Sequence, residues 1–265
     1  MKIAVAGGTG TVGAHTTRAL REAGHDVVVM SRSTGVDLRR DSDVARALVE
    51  VDVIVDTANA PGLRRSVASS YFRDASRRFQ RLGDEAGVQQ LVTLSIVGID
   101  RVPHWGYYEA KVAQEVAAND GPIPSWIVRA TQFHEFPYQL MERMTFGPWT
   151  AAFRANVQPV AARTVGQHLA LCVTEPAHSG LEEIGGPQAT DLLTMARAMI
   201  AASGQRRRLI PVYLPRGVSA RLRGGALLPV PSATLAGPTF GEWLKSEDFG
   251  ELMASRRQGR PTSRD

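Results

Sequence analysis

The segment Trp105-Gly106-Tyr107-Tyr108-Glu109-Ala110-Lys111 puts a tyrosine four residues ahead of a lysine, and Ser95 stands twelve residues before that tyrosine. A phenol titrates at about 10 and moves protons poorly at neutral pH unless a nearby cation stabilises its anion. Residues four apart on a helix lie one above the other, so Tyr107 and Lys111 have the required spacing. With Ser95 polarising the same oxygen, the three could protonate the alkoxide formed when hydride reduces a carbonyl. Two plainer readings compete. Lys111 is also four residues before Glu115, the spacing of a surface ion pair, and Tyr108 rather than Tyr107 can be the residue that faces the site. Against the first, lysine is scarce here (Lys2, Lys111 and Lys245) while arginine, which would serve a surface pair equally well, is abundant.

Such a trio needs a scaffold, and the hydrophobic pattern supplies one. Apolar runs at Lys2–Ala6, Asp26–Met30, Val51–Asp56, Gln90–Ser95 and Ser125–Ala130 read as buried strands. Helical spacing separates them at Val12–Ala23, Asp43–Val49, Leu63–Ala86 and Tyr107–Asn119. Strands alternating with helices predict a doubly wound parallel sheet of the Rossmann-like α/β class. Ser95 then falls at the carboxyl end of a strand, where ligands bind in such sheets. Past Thr131 the pattern loosens, with helices expected at Thr164–Thr174, Leu192–Ser203 and Phe240–Leu244, a late strand at Leu181–Ile184, a short apolar run at Leu209–Leu214, and a basic turn or helix at Ser219–Gly224. We therefore expect a core over residues 1–135, a substrate lobe that also completes the sheet over 136–254, and a disordered tail from 255.

Between the first strand and the first helix lies Gly7-Gly8-Thr9-Gly10-Thr11-Val12-Gly13. In this setting Gly7, Gly10 and Gly13 allow a tight turn, close approach of backbone N–H groups to a pyrophosphate, and close helix–strand packing. The helix start adds a partial positive charge toward the phosphates. The second strand ends in Met30-Ser31-Arg32-Ser33 without the carboxylate that usually holds a ribose 2′-hydroxyl. Arg32 in its place fits a 2′-phosphate, with Ser31 or Ser33 adding hydrogen bonds, so NADP (as NADPH) is the expected cofactor.

Composition narrows the remaining classes. A net charge of +5 arises from scattered arginines with short clusters at Arg206–Arg208 and Arg256-Arg257, without a basic stripe interleaved with aromatics, so nucleic acid is not expected as a partner. The single cysteine, Cys172, excludes an internal disulfide and reads as a small buried apolar residue. No signal peptide and no apolar run of the ~18 residues that span a membrane is visible, so a soluble cytoplasmic protein, monomer or homodimer, is expected. The histidines show no metal-ligand spacing, so no metal is expected. No GxSxG elbow supports hydrolase chemistry.

GGTGTVG, the SR after the second strand, LSIVG, YYEAK, the GGP at Gly185–Pro187 and TFGEWL together resemble the atypical short-chain dehydrogenase/reductases, in the NmrA-like NAD(P)H-binding branch, over roughly residues 1–245. That resemblance implies NADP use and a small C-terminal substrate lobe. It implies that Thr9, Thr11 and Val12 share the phosphate loop, that Asp37 and Leu38 flank the adenine, and that Thr57, Ala58 and Asn59 line the adenosine ribose and phosphates. It further implies that Lys111 binds the nicotinamide ribose, that Ala130, Thr131 and Phe133 wrap the nicotinamide, and that Ser95 stands on the substrate side. Thr164 departs from the pattern, since relatives usually carry aspartate there. Loop residues His104, Trp105, His134 and Phe136 are candidates for substrate contact. The expected activity is NADPH-dependent reduction of a carbonyl, quinone or related small apolar molecule. A non-catalytic NADP-binding regulator and a sugar or small-molecule epimerase are the alternatives.

Overall fold

The structure, a computed structural model, describes residues 1–60, 65–102 and 105–257. His104, the first two residues of the expected helix Leu63–Ala86, and residues 258–265 of the expected tail lie outside them.

Strands and helices alternate along the first half as β1 (Lys2–Ala6), α1 (Thr11–Glu22), β2 (Asp26–Met30), α2 (Asp41–Ala47), β3 (Val53–Asp56), α3 (Arg65–Ala86), β4 (Gln90–Ile96), α4 (Gly106–Asn119) and β5 (Ser125–Ala130). There follow α5 (Phe136–Arg143), β6 (Thr145–Phe146), β7 (Trp149–Ala152), β8 (Asn156–Val157), α6 (Ala162–Cys172), β9 (Gly180–Gly185) and β10 (Thr190–Asp191). The chain continues through α7 (Leu192–Ala202), β11 (Arg208–Pro211), α8 (Arg216–Arg223), β12 (Thr234–Leu235), α9 (Phe240–Trp243) and α10 (Glu247–Arg257).

Seven strands form one sheet in the order β12-β9-β5-β4-β3-β1-β2. The pairs β1–β2, β1–β3, β3–β4 and β9–β12 are parallel, and the fold is the expected Rossmann-like α/β class. Every residue of β3 is buried, whereas the edge strand β2 begins exposed and is only part-buried through Val29. Strands covered on both faces read as continuous apolar runs, which is why VIVD and QLVTLS stand out in the sequence. Register aligns Ala6 with Asp56 and Asp56 with Thr93, so the carboxyl ends of β1, β3 and β4 share one edge of the sheet. The strand order reverses between β1 and β3, the point where open α/β sheets form their ligand crevice.

The described residues divide into two compact units, Met1–Arg129 with Arg163–Glu182, and Ala130–Ala162 with residues 183–257. The expected boundaries lie at 135 and 254, whereas in this division Arg163–Cys172 of α6 belong to the first unit. There Gly166 packs so closely on α1 that an added Cβ would lie 2.7 Å from Thr16 N. Within the second unit, β11-β7-β6 and β10-β8 are small separate sheets, and Tyr138, Met141, Met199, Trp243 and Phe249 form a core cluster. Ser255–Arg257 complete α10 and do not begin the tail expected there. Helix α5 is not expected from the sequence; its Pro137 sits in the first turn, where its missing N–H costs nothing.

Candidate functional site

The loop after β1 is built so that side chains are kept out. Gly7 has φ +71°, and a Cβ there would lie 2.8 Å from Ala58 Cα. A Cβ on Gly13 would lie 2.1 Å from the Gly7 carbonyl oxygen and 2.6 Å from Thr57 Oγ1. Gly10 N donates to Gly7 O at 2.8 Å, closing the turn into α1. That helix starts at Thr11 with no side-chain cap and no acidic residue in its first turn. Its N–H groups and dipole are therefore available to an anion. The loop after β3 lies alongside: Thr57 Oγ1 donates to Ala6 O at 2.7 Å, and Ala58 N donates to Asp56 Oδ1 at 3.0 Å.

After β2, Arg32 opens a short 3-10 turn with its side chain exposed. Ser31 and Ser33 hydroxyls are hydrogen-bonded at 2.8 Å, and Ser33 Oγ reaches Thr9 Oγ1 at 3.5 Å, tying this turn to the glycine loop. Asp37 is gripped by Arg39, with Nη2 donating to Oδ2 at 2.7 Å, and that guanidinium holds the carboxyl down at about 2. Leu38 is buried in the core cluster of the first unit.

The proposed chemistry residues occupy the same sheet edge but make bonds of their own. Tyr107 OH donates to Asn59 Oδ1 at 2.7 Å, and its ring meets Phe72 edge-on at 5.9 Å. Ser95 is buried, and its Oγ makes no hydrogen bond to another described residue. Lys111 is 4% exposed, so it is no surface residue. Glu115 is instead held by Arg129, whose Nη2 donates to Oε2 at 2.7 Å. Lys111 Nζ donates to Leu94 O at 2.7 Å and to Gln114 Oε1, and lies 4.8 Å from the Phe72 ring centroid. Gln114 Nε2 in turn donates to Asp56 Oδ2 at 2.7 Å. Burial pulls Lys111 down to about 8, against the pull of the Asp56 and Glu115 charges, and burial raises Asp56. Asp56 and Gln114 went unnoticed in the sequence. Their signals are a carboxylate closing an apolar strand and an amide three residues beyond the lysine. Tyr108 stacks on Trp105, the residue that precedes α4, with centroids 5.7 Å apart.

In the second unit, Thr131 N donates to Ile184 O at 2.9 Å and Thr131 Oγ1 to Gln158 O at 2.6 Å, while Ala130 is buried. Phe133 and Phe136 are partly buried. His134 is not an open loop residue: it is fully enclosed, with Nε2 3.0 Å from Pro238 O and its ring against Phe240 and Trp243. Burial lowers it to about 4. Glu135, buried beside it in sequence, is raised to about 7 by loss of water. No described helix is long and apolar enough to cross a membrane.

Residues 3–95 match the family model described as the NAD dependent epimerase/dehydratase family. That span holds the glycine loop, Arg32, Thr57–Asn59 and Ser95, and ends before Tyr107. No curated protein matches the chain significantly. Among solved structures, a short-chain dehydrogenase/reductase superfamily protein from Agrobacterium tumefaciens with bound NAD aligns at 16% identity and TM-score 0.68, over 97% of this chain and 98% of that one. MoeE5 in complex with UDP-glucose and NAD aligns at 19% identity and TM-score 0.71, over 98% and 99%. A UDP-galactose 4-epimerase aligns at 20% identity and TM-score 0.69, over 95% and 99%. At these identities the likeness is one of architecture: the chain has the Rossmann-like fold of the short-chain dehydrogenase/reductase proteins.

Proposed function

We propose that this chain is an enzyme of short-chain dehydrogenase/reductase type that binds NADP(H) and interconverts a carbonyl and an alcohol on a small molecule. The observation that carries it is the glycine loop, where an added Cβ on Gly13 would meet Gly7 O at 2.1 Å and the start of α1 is left uncapped for a pyrophosphate. Bound there, the dinucleotide supplies the hydride. Gly7, Thr9, Gly10, Thr11, Val12 and Gly13 cradle the phosphates, and Thr57, Ala58 and Asn59 flank the ribose. Arg32, with Ser31 and Ser33, takes the 2′-phosphate, a choice supported by the absence of an acid at the end of β2 and by the capture of Asp37 by Arg39.

Ser95 orients the substrate oxygen with a hydroxyl that has no competing bond among the described residues. Tyr107 hands its proton to the developing alkoxide, exchanging its bond to Asn59 for one to substrate. The Lys111 ammonium, fixed on the carbonyl of Leu94 beside Ser95, stabilises the phenolate left behind. The motifs LSIVG and YYEAK support the NmrA-like branch as the finer family reading. A second reading, epimerisation, is favoured by the match of residues 3–95. It uses the same residues, but hydride removed from the substrate is returned to it.

The test titrates the purified chain with NADPH and NADH, then measures turnover on ketones, quinones and sugar nucleotides. We expect NADPH to bind at least about tenfold more tightly, the gain of one charge-assisted contact, and Arg32→Asp to reverse the preference. Equal losses for both dinucleotides on that substitution would overturn the 2′-phosphate assignment. Turnover that persists in Tyr107→Phe would overturn the proton relay. Product formation without net NADPH consumption would select epimerisation.

A further inference from the structure

A second cluster of reactive side chains lies in the first unit, on elements the proposed hydride chemistry does not use. His168 and Cys172 are four residues apart on α6, so both project from one face of that helix. The one-turn spacing of a histidine and a cysteine is a metal-ligand pattern, contrary to the expectation of none. Glu182, on β9, completes the group. His168 Nε2 is 2.7 Å from Glu182 Oε1, Cys172 Sγ is 3.5 Å from the same oxygen, and the three ligand atoms all lie within 4.8 Å of one another. The neighbouring Glu183 points the other way along the strand and accepts from Val230 N at 2.7 Å, so strand alternation commits Glu182 to α6. The close packing of Gly166 on α1 fixes the helix that carries the other two.

We propose that His168, Cys172 and Glu182 form a binding site for a zinc-class divalent cation. One imidazole nitrogen, one thiolate and one carboxylate oxygen are the donors such an ion takes, at about 2.0–2.3 Å from the metal. Tetrahedral ligands at those lengths stand about 3.3–3.7 Å apart. The sulfur–oxygen separation already matches, and the histidine–glutamate pair needs to part by roughly half an ångström, its shared proton replaced by the ion. Binding expels the thiol proton, while the imidazole coordinates as the neutral ring with its hydrogen on Nδ1. Cys172 is buried, while the His168 and Glu182 side chains are 18% and 29% exposed, which leaves the fourth position toward water. Nothing in this site depends on the dinucleotide reading, so either can fail alone.

Cobalt(II) is the probe, because Cys172 is the only cysteine of the chain and any thiolate-to-cobalt charge-transfer absorption reports on this site. The full-length, chelator-treated protein is titrated with Co2+ and then with Zn2+. We expect one equivalent of Co2+ to produce the band, Zn2+ to displace it, and Cys172→Ser to lack it. His168→Ala and Glu182→Gln should each weaken Co2+ by about 100-fold or more, the upper end of what even outer-sphere changes cost. Glu182→Gln keeps the size and a hydrogen bond to His168, and its thermal unfolding without metal checks that the fold is intact. Cobalt bound without the band, or a band whose midpoint is unchanged in Glu182→Gln, would overturn the proposal and leave a hydrogen-bonded triad.

Discussion

Asp56 and Lys111 in the first unit and His134 and Glu135 in the second are all shut away from water, yet the two regions handle the cost of burial in opposite ways. In the first, each group is bonded onward: Ala58 N and Gln114 to Asp56, Gln114 and Leu94 O to Lys111. Two opposite charges are linked through one amide whose two ends face the partner each requires. In the second, Gln132 Oε1 and Nε2, His134 Nδ1, Glu135 Oε2 and Trp243 Nε1 make no hydrogen bond among the described residues. Burial there drives both ionisable groups toward their neutral forms, His134 down to about 4 and Glu135 up to about 7. Pairing retains charge where the proposed chemistry calls for an ammonium. Neutralisation suffices where the ring and carboxyl are packed among aromatics.

The largest expected effect comes from breaking the paired region. Lys111→Met leaves Asp56 without its countercharge, and a loss of about 3 kcal/mol in urea unfolding is expected. Adding Asp56→Asn to that variant should recover a good part of it. If the double variant is no better than the single one, the two groups are not coupled through Gln114.

Glu135→Gln probes the other region and should act in the opposite direction. At pH 6 the folded carboxyl keeps its proton while an unfolded one has lost it, so unfolding releases a proton. Stability is therefore full below the unfolded value of about 4.5 and falls as pH rises through about 7. The amide removes that loss, with a gain of about 2 kcal/mol at pH 8 and a flatter profile of melting temperature from pH 5 to 8. A variant less stable than the parent at pH 8 would mean that the carboxylate is bonded in solution.

His134→Phe should have the smallest effect at neutral pH, about 1 kcal/mol for the lost bond to Pro238 O. Its signature is at lower pH. At pH 5 an unfolded imidazole is protonated and the folded one is not, so unfolding takes up a proton, and stability is lost as pH falls from about 6.5 through about 4. Melting curves of the phenylalanine variant should lose that component; an unchanged acid limb would show that His134 titrates as an ordinary histidine.

Much of the scaffold could be read directly from the chain. β2, β5 and the phosphate loop stand where apolar runs and glycines put them, since strand burial and positive φ impose residue types locally. Two-residue strands such as β6, β8 and β10 leave no periodicity to detect. Glu247–Arg257 is a helix without a marked apolar stripe to announce it, and only its last three residues fall in the expected tail.

At the site the same distinction holds. Sequence determined the strand–loop–helix unit with Gly7, Gly10 and Gly13, and the one-turn spacings of Tyr107 to Lys111 and His168 to Cys172, because these depend on neighbours in the chain. Tertiary structure decided that Tyr107 bonds Asn59, that Lys111 lies in a buried line with Gln114 and Asp56, that Glu182 meets α6, and that His134 is enclosed. Apart from the one-turn bond of Lys111 to Gln114, those contacts join residues 10 to 104 positions apart. Sheet register and helix packing bring such residues together, and no local pattern encodes either.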